Sequence, residues 1–231
     1  VSAQQLAVRW IETRSEREMV IYDQLVDITH DIIAEAFSEK VITPGVTRTS
    51  DVVWWMRQKV TDLGLDTWFH PTVDVQRSEK DNASKFYSFA DKPDDMVILP
   101  GDLMHCDFGI TYLRLNTDCQ ELAYVLKPEE TSAPDFLIDG LKDGNRVQDF
   151  LTTNMIKGKS GNDILAKSLS EAKAAGLKPS IYTHPLGMYG HSAGTTIGMW
   201  DSQGGVMRDD GENYLLNPNT VYAIELNTTV N

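Results

Sequence analysis

The sequence predicts an α+β fold in which helices cover an antiparallel-rich sheet, and three features support this class. Apolar residues recur at helical spacing through the first third of the chain. Two strand-like stretches, 103–110 and 117–126, follow each other with a short connection between them, as in a β-hairpin or meander. The last third returns to strands and glycine-rich turns. Because helices and strands are interspersed without a regular βαβ alternation, an α+β class fits best.

The composition is that of a globular protein. The chain has 231 residues, of which 41% are hydrophobic and 24% charged, enough for one domain over 1–231 or at most two small ones. The formal net charge of -13 repels phosphate backbones, so nucleic acid is not an expected partner. A membrane partner is not expected either, because no stretch approaches the roughly 18 apolar residues that span a bilayer. The cytoplasm is the favoured location, and a periplasmic or secreted one stays open.

Four helices are predicted from spacing and end signals. Ser15 and Glu18 form a capping box before a helix over about 16–39, and Thr49 or Ser50 begins a second helix that Gly64 closes. Two further helices are expected at about 133–155 and 161–175. Between the second and third helices, the polar segment 77–95 has no periodicity and is predicted to be a long loop that contacts substrate.

Two aspartates face each other in the expected hairpin. If Asp107 pairs directly with Asp118, their Cβ atoms lie roughly 5 Å apart on one face, and two carboxylates so close need compensation that a divalent cation supplies. The alternative is one exposed aspartate and one in an ordinary ion pair. The same register places Cys106 opposite Cys119 on the other face, where buried free thiols are expected rather than a disulfide.

Two later segments add ionisable residues in strand-like surroundings. His184 is expected at a strand end and His191 across the following turn, because Pro185 and nearby glycines exclude a helix. Imidazole suits Mn, Fe, Co and Zn, although two unrelated histidines explain this segment equally well. Glu225 has apolar neighbours on both sides and would be costly to bury unpaired. One metal site would explain why all three segments place an ionisable residue in strand-like surroundings.

The spacing of these residues resembles a known family. Residues 100–109 are similar to the P-G-D-x-x-x-x-D-F-G segment of the pita-bread metallopeptidases, which include methionine aminopeptidase, Xaa-Pro aminopeptidase, prolidase and creatinase. Asp118 falls at the family's second aspartate, and His184 and His191 at its two histidines. Residues 223–226 resemble its I-E-P glutamate segment. The segments 10–18 and 41–45 look more like the Xaa-Pro branch than methionine aminopeptidase.

The resemblance implies a pita-bread fold and a metal-dependent exopeptidase that cleaves the peptide bond before a proline at the second position. Asp107 would bind one metal ion, Asp118 would bridge two, and His184 and Glu225 would bind the other. A water between the two ions would attack the carbonyl, His191 would hydrogen-bond the peptide, and Glu225 would also relay a proton. The implied cofactors are two divalent ions, Mn first, with Co or Zn as alternatives. The oligomeric state, including a homodimer, stays open.

Two departures from the family pattern qualify this expectation. The family's fifth ligand, a second glutamate, has no candidate before Asn231, so weakened or absent binding of at least one ion is expected from a chain that lacks its C-terminal end and any N-terminal accessory domain. The family's proton-shuttling histidine has no counterpart in 85–91, and His70 lies well upstream. A catalytically impaired binding module and a creatinase-like, metal-free C–N hydrolase are therefore the alternatives.

Overall fold

The computed structural model describes residues 3–79, 82–86, 95–199 and 214–229. The secondary-structure elements, in chain order, are α1 Gln4–Glu12, α2 Glu16–Ala36, α3 Thr49–Asp62, β1 Asp66–Thr67, β2 Thr72–Gln76, β3 Ser78–Glu79, β4 Asn82–Phe86, β5 Leu103–Phe108, β6 Ile110–Tyr112, β7 Leu115–Asn116, β8 Cys119–Tyr124, α4 Asp135–Asn154, α5 Gly161–Ala174, β9 Pro179–Leu186 and β10 Val221–Thr228. The paired strands among them are antiparallel. The predicted α+β class is therefore confirmed.

The chain divides into two compact units. One comprises 1–20 with 135–231, and the other comprises 21–134. The single catalytic domain expected over 1–231 stays a prediction. No helix among the described residues is long and apolar enough to cross a bilayer.

The unit formed by 21–134 contains a three-stranded sheet in the order β2-β5-β8. Along β5, Met104, Cys106 and Phe108 are buried, and the pairing places Val73 and Val75 of β2 beside the first two on the same face. Alternation turns Asp107 to the opposite face. Helices α2 and α3 bury apolar residues in this unit. These residues are Tyr22, Leu25, Ile32, Ile33, Val52, Val53, Met56 and Val60.

The unit formed by 1–20 and 135–231 contains the two-stranded β9–β10 sheet and helices α4 and α5. Its core joins the two helices to one face of that sheet. The buried members are Val147, Leu151, Ile164, Leu165, Leu169, Ala172, Leu177, Ile181, Ile197 and Leu216, with Tyr222, Ile224 and Leu226 packed against them. The pairing Ile181↔Leu226 and Tyr182↔Glu225 places Glu225 on the other face of the sheet.

The four helix predictions are confirmed, and the helices expected over 16–39, 133–155 and 161–175 are each shorter by one to three residues. The backbone N–H of Ser15 donates to Glu18 Oε2 over 2.6 Å, and that of Glu18 donates to Ser15 Oγ over 3.3 Å, which closes the expected capping box. The predicted second helix is α3, and Arg48 rather than Thr49 or Ser50 occupies its N-cap position. The Arg48 side chain donates to Asp95 at 2.5 Å.

The prediction of a structureless loop over 77–95 was wrong in its first part. Strands β3 and β4 occupy Ser78–Glu79 and Asn82–Phe86 and pair with each other, whereas 80–81 and 87–94 lie outside the described residues. Arg77 at its start donates to both carboxylate oxygens of buried Asp102, at 2.7 and 2.8 Å. Asp102 also accepts a hydrogen bond from the backbone N–H of Leu99. The bidentate Arg77–Asp102 pair therefore holds the turn that leads into β5.

Candidate metal centre

Asp107 and Asp118 lie at the same end of the β5–β8 ladder. Asp107 pairs with Gln120, and Phe108 pairs with Cys119, so the predicted direct pairing of Asp107 with Asp118 was wrong by two positions. A shift of two residues preserves the face, because side chains alternate along a strand. The two aspartates are therefore diagonal neighbours on one face, a spacing of roughly 7–8 Å between Cα atoms that leaves more room for an ion than direct opposition.

The turn at the end of the ladder accounts for the register error. The register that pairs Asp107 with Gln120 continues to Tyr112 opposite Leu115, which leaves Leu113 and Arg114 as a two-residue connection. Both have positive φ, 50° and 66°, as the type I′ hairpin turn requires. The usual signal for that turn is Asn-Gly. Leu-Arg gives no such signal, so the sequence did not reveal the centre of the hairpin.

The two residues before Asp118 are held by buried hydrogen bonds. The indole Nε1 of Trp68 donates to the carbonyl oxygen of Thr117 over 2.6 Å, and the hydroxyls of Thr117 and Thr29 are 2.8 Å apart. Tyr22 donates from its hydroxyl to the carbonyl oxygen of Asn116 over 3.0 Å. This network fixes the backbone that carries Asp118. None of these residues has a sequence pattern that predicts the role.

The cysteines lie on the other face of the ladder. Cys106 pairs with Glu121 rather than with Cys119, so the expected Cys106–Cys119 juxtaposition was also wrong, and both thiols are free. Burial raises the pKa of each thiol to about 12, which favours the neutral form over the thiolate that binds metals. The Oε1 atom of Glu121 lies 3.0 Å from His30 Nδ1.

His184 and Glu225 meet in the β9–β10 ladder. His184 pairs with Ala223, and Glu225 pairs with Tyr182, so these two are also diagonal neighbours on one face. The Nε2 atom of His184 is 3.0 Å from Glu225 Oε1. His184 is 3% exposed, and its neighbour Thr183 is bonded on both sides, by its backbone to Ile197 and by its hydroxyl to the carbonyl oxygen of Ala223.

Both ring nitrogens of His184 face oxygen atoms. Nδ1 is 3.2 Å from the carbonyl oxygen of Pro185. Because a carbonyl oxygen only accepts, this hydrogen bond places a proton on Nδ1 and turns Nε2 toward a carboxylate oxygen of Glu225. A histidine whose Nδ1–H donates to a carbonyl oxygen is oriented to ligate a metal ion through Nε2. The donor set of this pair therefore fits a metal ion.

His191 lies beside the same pair. Its ring is exposed and meets the His184 ring edge-on, with centroids 4.3 Å apart. The loop between the two histidines is closed by bonds from Ser192 N to Pro185 O (2.9 Å) and from Gly187 N to Tyr189 O (3.1 Å). His184, His191 and Glu225 each offer one ligand atom within 4.8 Å of the others. Oxygen and imidazole donors of this kind suit Mn, Fe, Co and Zn.

The site residues named from the sequence thus fall into two groups. Asp107 and Asp118 belong to the 21–134 unit, and His184, His191 and Glu225 belong to the other. His70 is exposed. Its Nδ1 lies 2.7 Å from Arg57 Nη1, and its ring packs edge-on against Trp54. The stretch 85–91 corresponds to the family segment that carries the proton-shuttling histidine, and its residues after Phe86 lie outside the described part of the chain.

Comparison with known proteins identifies the family and the fold. The family model of metallopeptidase family M24 matches residues 21–230. The X-Pro aminopeptidase of Thermotoga maritima aligns with a TM-score of 0.66 at 17% identity over 96% of this chain and 61% of its own. The prolidase of Pyrococcus furiosus gives 0.60 at 17% identity over 97% and 64%. The methionine aminopeptidase of Rickettsia prowazekii gives 0.57 at 11% over 94% of both chains.

These likenesses confirm the pita-bread fold that the resemblance implied. The chain spans less than two thirds of the length of the first two structures. No curated protein matches the sequence.

Proposed function

We propose that this chain, which belongs to metallopeptidase family M24, is a metal-dependent exopeptidase that hydrolyses the peptide bond before a proline at the second position. The contact that carries the proposal is the 3.0 Å approach of His184 Nε2 to Glu225 Oε1, on a histidine whose other nitrogen faces a carbonyl oxygen. The structural likeness to an X-Pro aminopeptidase and to a prolidase supports the choice of substrate class.

The proposed ligands of two divalent ions are Asp107, Asp118, His184 and Glu225. Bound divalent ions supply Lewis acidity, which lowers the pKa of water and polarises a carbonyl oxygen. Manganese is the proposed metal, with cobalt or zinc as alternatives, because the donors are carboxylate oxygens and one imidazole.

The chain's own residues would then bind the peptide and move protons. His191 is exposed beside His184, and its ring N–H can donate a hydrogen bond to the oxygen of the scissile peptide. Glu225 Oε1 can accept a proton from the attacking water and pass it to the leaving nitrogen. Cytoplasmic location stays a prediction.

The experiment compares two tripeptides that differ only at the second residue, proline or alanine, in the presence of Mn²⁺. Release of the first residue from the proline peptide, lost after chelation and in Asp118→Ala, is the expected result. The Glu121→Gln variant changes a carboxylate on the opposite face of the same strand and should cleave normally.

A dipeptide whose second residue is proline distinguishes a prolidase from an aminopeptidase. A prolidase is a dipeptidase and requires the substrate to end at that proline. Peptide binding without cleavage would instead support a binding module. Cleavage that survives both chelation and Asp118→Ala would contradict the metallopeptidase and favour metal-free hydrolysis.

A further inference from the structure

Two charged residues at the junction of α1 and α2 are almost fully buried: Glu12 is the last residue of α1, and Arg14 lies in the connection that follows. Glu12 is 1% exposed and Arg14 is 3% exposed, whereas Thr13 and Ser15 are exposed. Glutamate and arginine are rarely buried unless they are bound to partners. This connection precedes the residues matched by the family model, 21–230.

Glu12 joins two segments that lie far apart in the sequence. Its Oε1 accepts a hydrogen bond from Asn217 Nδ2 over 2.6 Å, in the turn before β10. Its Oε2 is buried and packs against Gly194 so closely that a Cβ on that glycine would lie 2.5 Å from the oxygen. Glu12 therefore ties the loop that follows His191 to the entry of β10.

Arg14 makes a second connection of the same kind. Its backbone N–H donates to the carbonyl oxygen of Asn219 over 2.7 Å. Its guanidinium carbon lies 3.3 Å from the place a Cβ would take on Gly187, the residue that follows β9. Its Nη2 donates to the carbonyl oxygen of Ile11, and its Nη1 lies 3.6 Å from Glu18. The guanidinium is thus fixed against the start of the same loop.

The loop between these two attachment points carries His191 and is rich in glycine. Gly187, Gly190 and Gly194 interrupt it, and Gly194 has a φ of 145°. Glycine loses more conformational freedom on folding than other residues, so such a loop needs external contacts to keep one conformation. The contacts with Glu12 and Arg14 supply them at both ends.

We propose that Glu12 and Arg14, here called the N-terminal clamp, are positioning residues that hold the 187–195 loop and the entry of β10, so that His191 and Glu225 stay beside His184. This rests on the proposed function only for the roles of those three residues. All of the contacts lie within the unit formed by 1–20 and 135–231.

The first experiment measures amide hydrogen exchange without metal or substrate. In Glu12→Ala, exchange of the amides in 187–195 should rise by about tenfold or more, with α4 and α5 unchanged, because protection there depends on local opening. In Glu12→Gln it should stay near wild type, since glutamine keeps the acceptor for Asn217. Glu16→Ala, at an exposed position, is the matched control. If Glu12→Ala fails to fold, Asn217→Ala removes the same hydrogen bond from the other side.

The second experiment titrates each variant with Mn²⁺. Glu12→Ala should raise the dissociation constant by about tenfold, within the range for residues that orient metal ligands, and Glu12→Gln should restore it. A wild-type chain that binds no Mn²⁺ would contradict the proposed function, while the exchange measurement would still decide on the clamp. Unchanged exchange in 187–195, or an equal rise throughout the chain, would overturn the clamp.

Discussion

One buried histidine, His184, lies between a backbone carbonyl and a carboxylate. Its Nδ1 hydrogen bond to Pro185 O assigns the proton and turns Nε2 toward Glu225. His191 contacts the ring of His184 and is exposed, so a ligand from solvent can reach its ring. The environments of the two histidines therefore differ in the way that a metal ligand and a substrate-binding residue should differ.

This difference can be tested with paired substitutions. We expect His184→Gln to raise the Mn²⁺ dissociation constant by about tenfold or more, because it removes a ligand. His191→Gln should leave that constant within about twofold and lower kcat by about a hundredfold, the usual loss when a donor to the reacting oxygen is removed. His30→Gln, a half-exposed histidine of the other unit, is the control. Equal weakening of Mn²⁺ binding by both substitutions would make His191 a ligand instead.

Glu12 should make stability depend on pH. Burial raises the pKa of Glu12 above its usual 4.5, although the Asn217 and Thr195 hydrogen bonds and the charge of Arg9 act in the opposite direction. Glu12 is also close enough to oppose ionisation of Tyr222. Because the folded chain holds the proton more tightly than the unfolded chain, the stability that Glu12 contributes is full below pH 4.5 and is lost as pH rises through the folded-state pKa.

The Glu12→Gln variant, which cannot ionise, isolates this effect. Its free energy of unfolding minus that of the wild type should increase from about pH 4 to about pH 8, by no more than about 1.4 kcal/mol per pH unit. Urea denaturation at several pH values measures the difference, with Glu16→Gln as the control. A difference that is flat or decreases with pH would show that Glu12 is not buried in the way described.

At the level of elements, the candidate ligands of each ladder lie on the face opposite its buried apolar residues. Periodicity and caps located the four longer helices, because those signals are local. The strand register was missed, because the turn at Leu113 and Arg114 uses residues that do not predict positive φ. Because the register differs from the predicted one by two positions, Asp107 and Asp118 still lie on the same face. The hypothesis that they bind a metal ion is therefore unaffected.

Gly109, directly after β5, lies in close contact with other segments of the chain. A Cβ there would lie 2.1 Å from Thr117 O and 2.5 Å from Trp68 Nε1. We expect Gly109→Ala to destabilise the chain by about 2 kcal/mol, as overpacking does. Gly144 lies in α4 with no such neighbour within 4 Å. Gly144→Ala should therefore stabilise by about 0.5–1 kcal/mol. Thermal unfolding of both variants checks the contrast, and equal effects would refute the close approach.

Across the whole molecule, the sequence predicted the residues of the candidate site but not the residues that hold them in position. The spacing of Asp107, Asp118, His184 and Glu225 is visible in the chain because these candidate ligands stand in recognisable segments. The clamp formed by Glu12 and Arg14 was not predicted, because its partners are the Asn217 side chain, backbone atoms and glycines far along the sequence. Contacts of that kind leave no local pattern.

The central claim is that Asp118 and His184 are ligands of divalent ions. Calorimetric titration of Mn²⁺ into the wild type, Asp118→Asn and His184→Gln tests it most directly, with Glu121→Gln as the control on the opposite face of β8. We predict that each of the two ligand substitutions raises the dissociation constant by about tenfold or more and that the control leaves it unchanged. Wild-type affinity in either Asp118→Asn or His184→Gln would contradict the account.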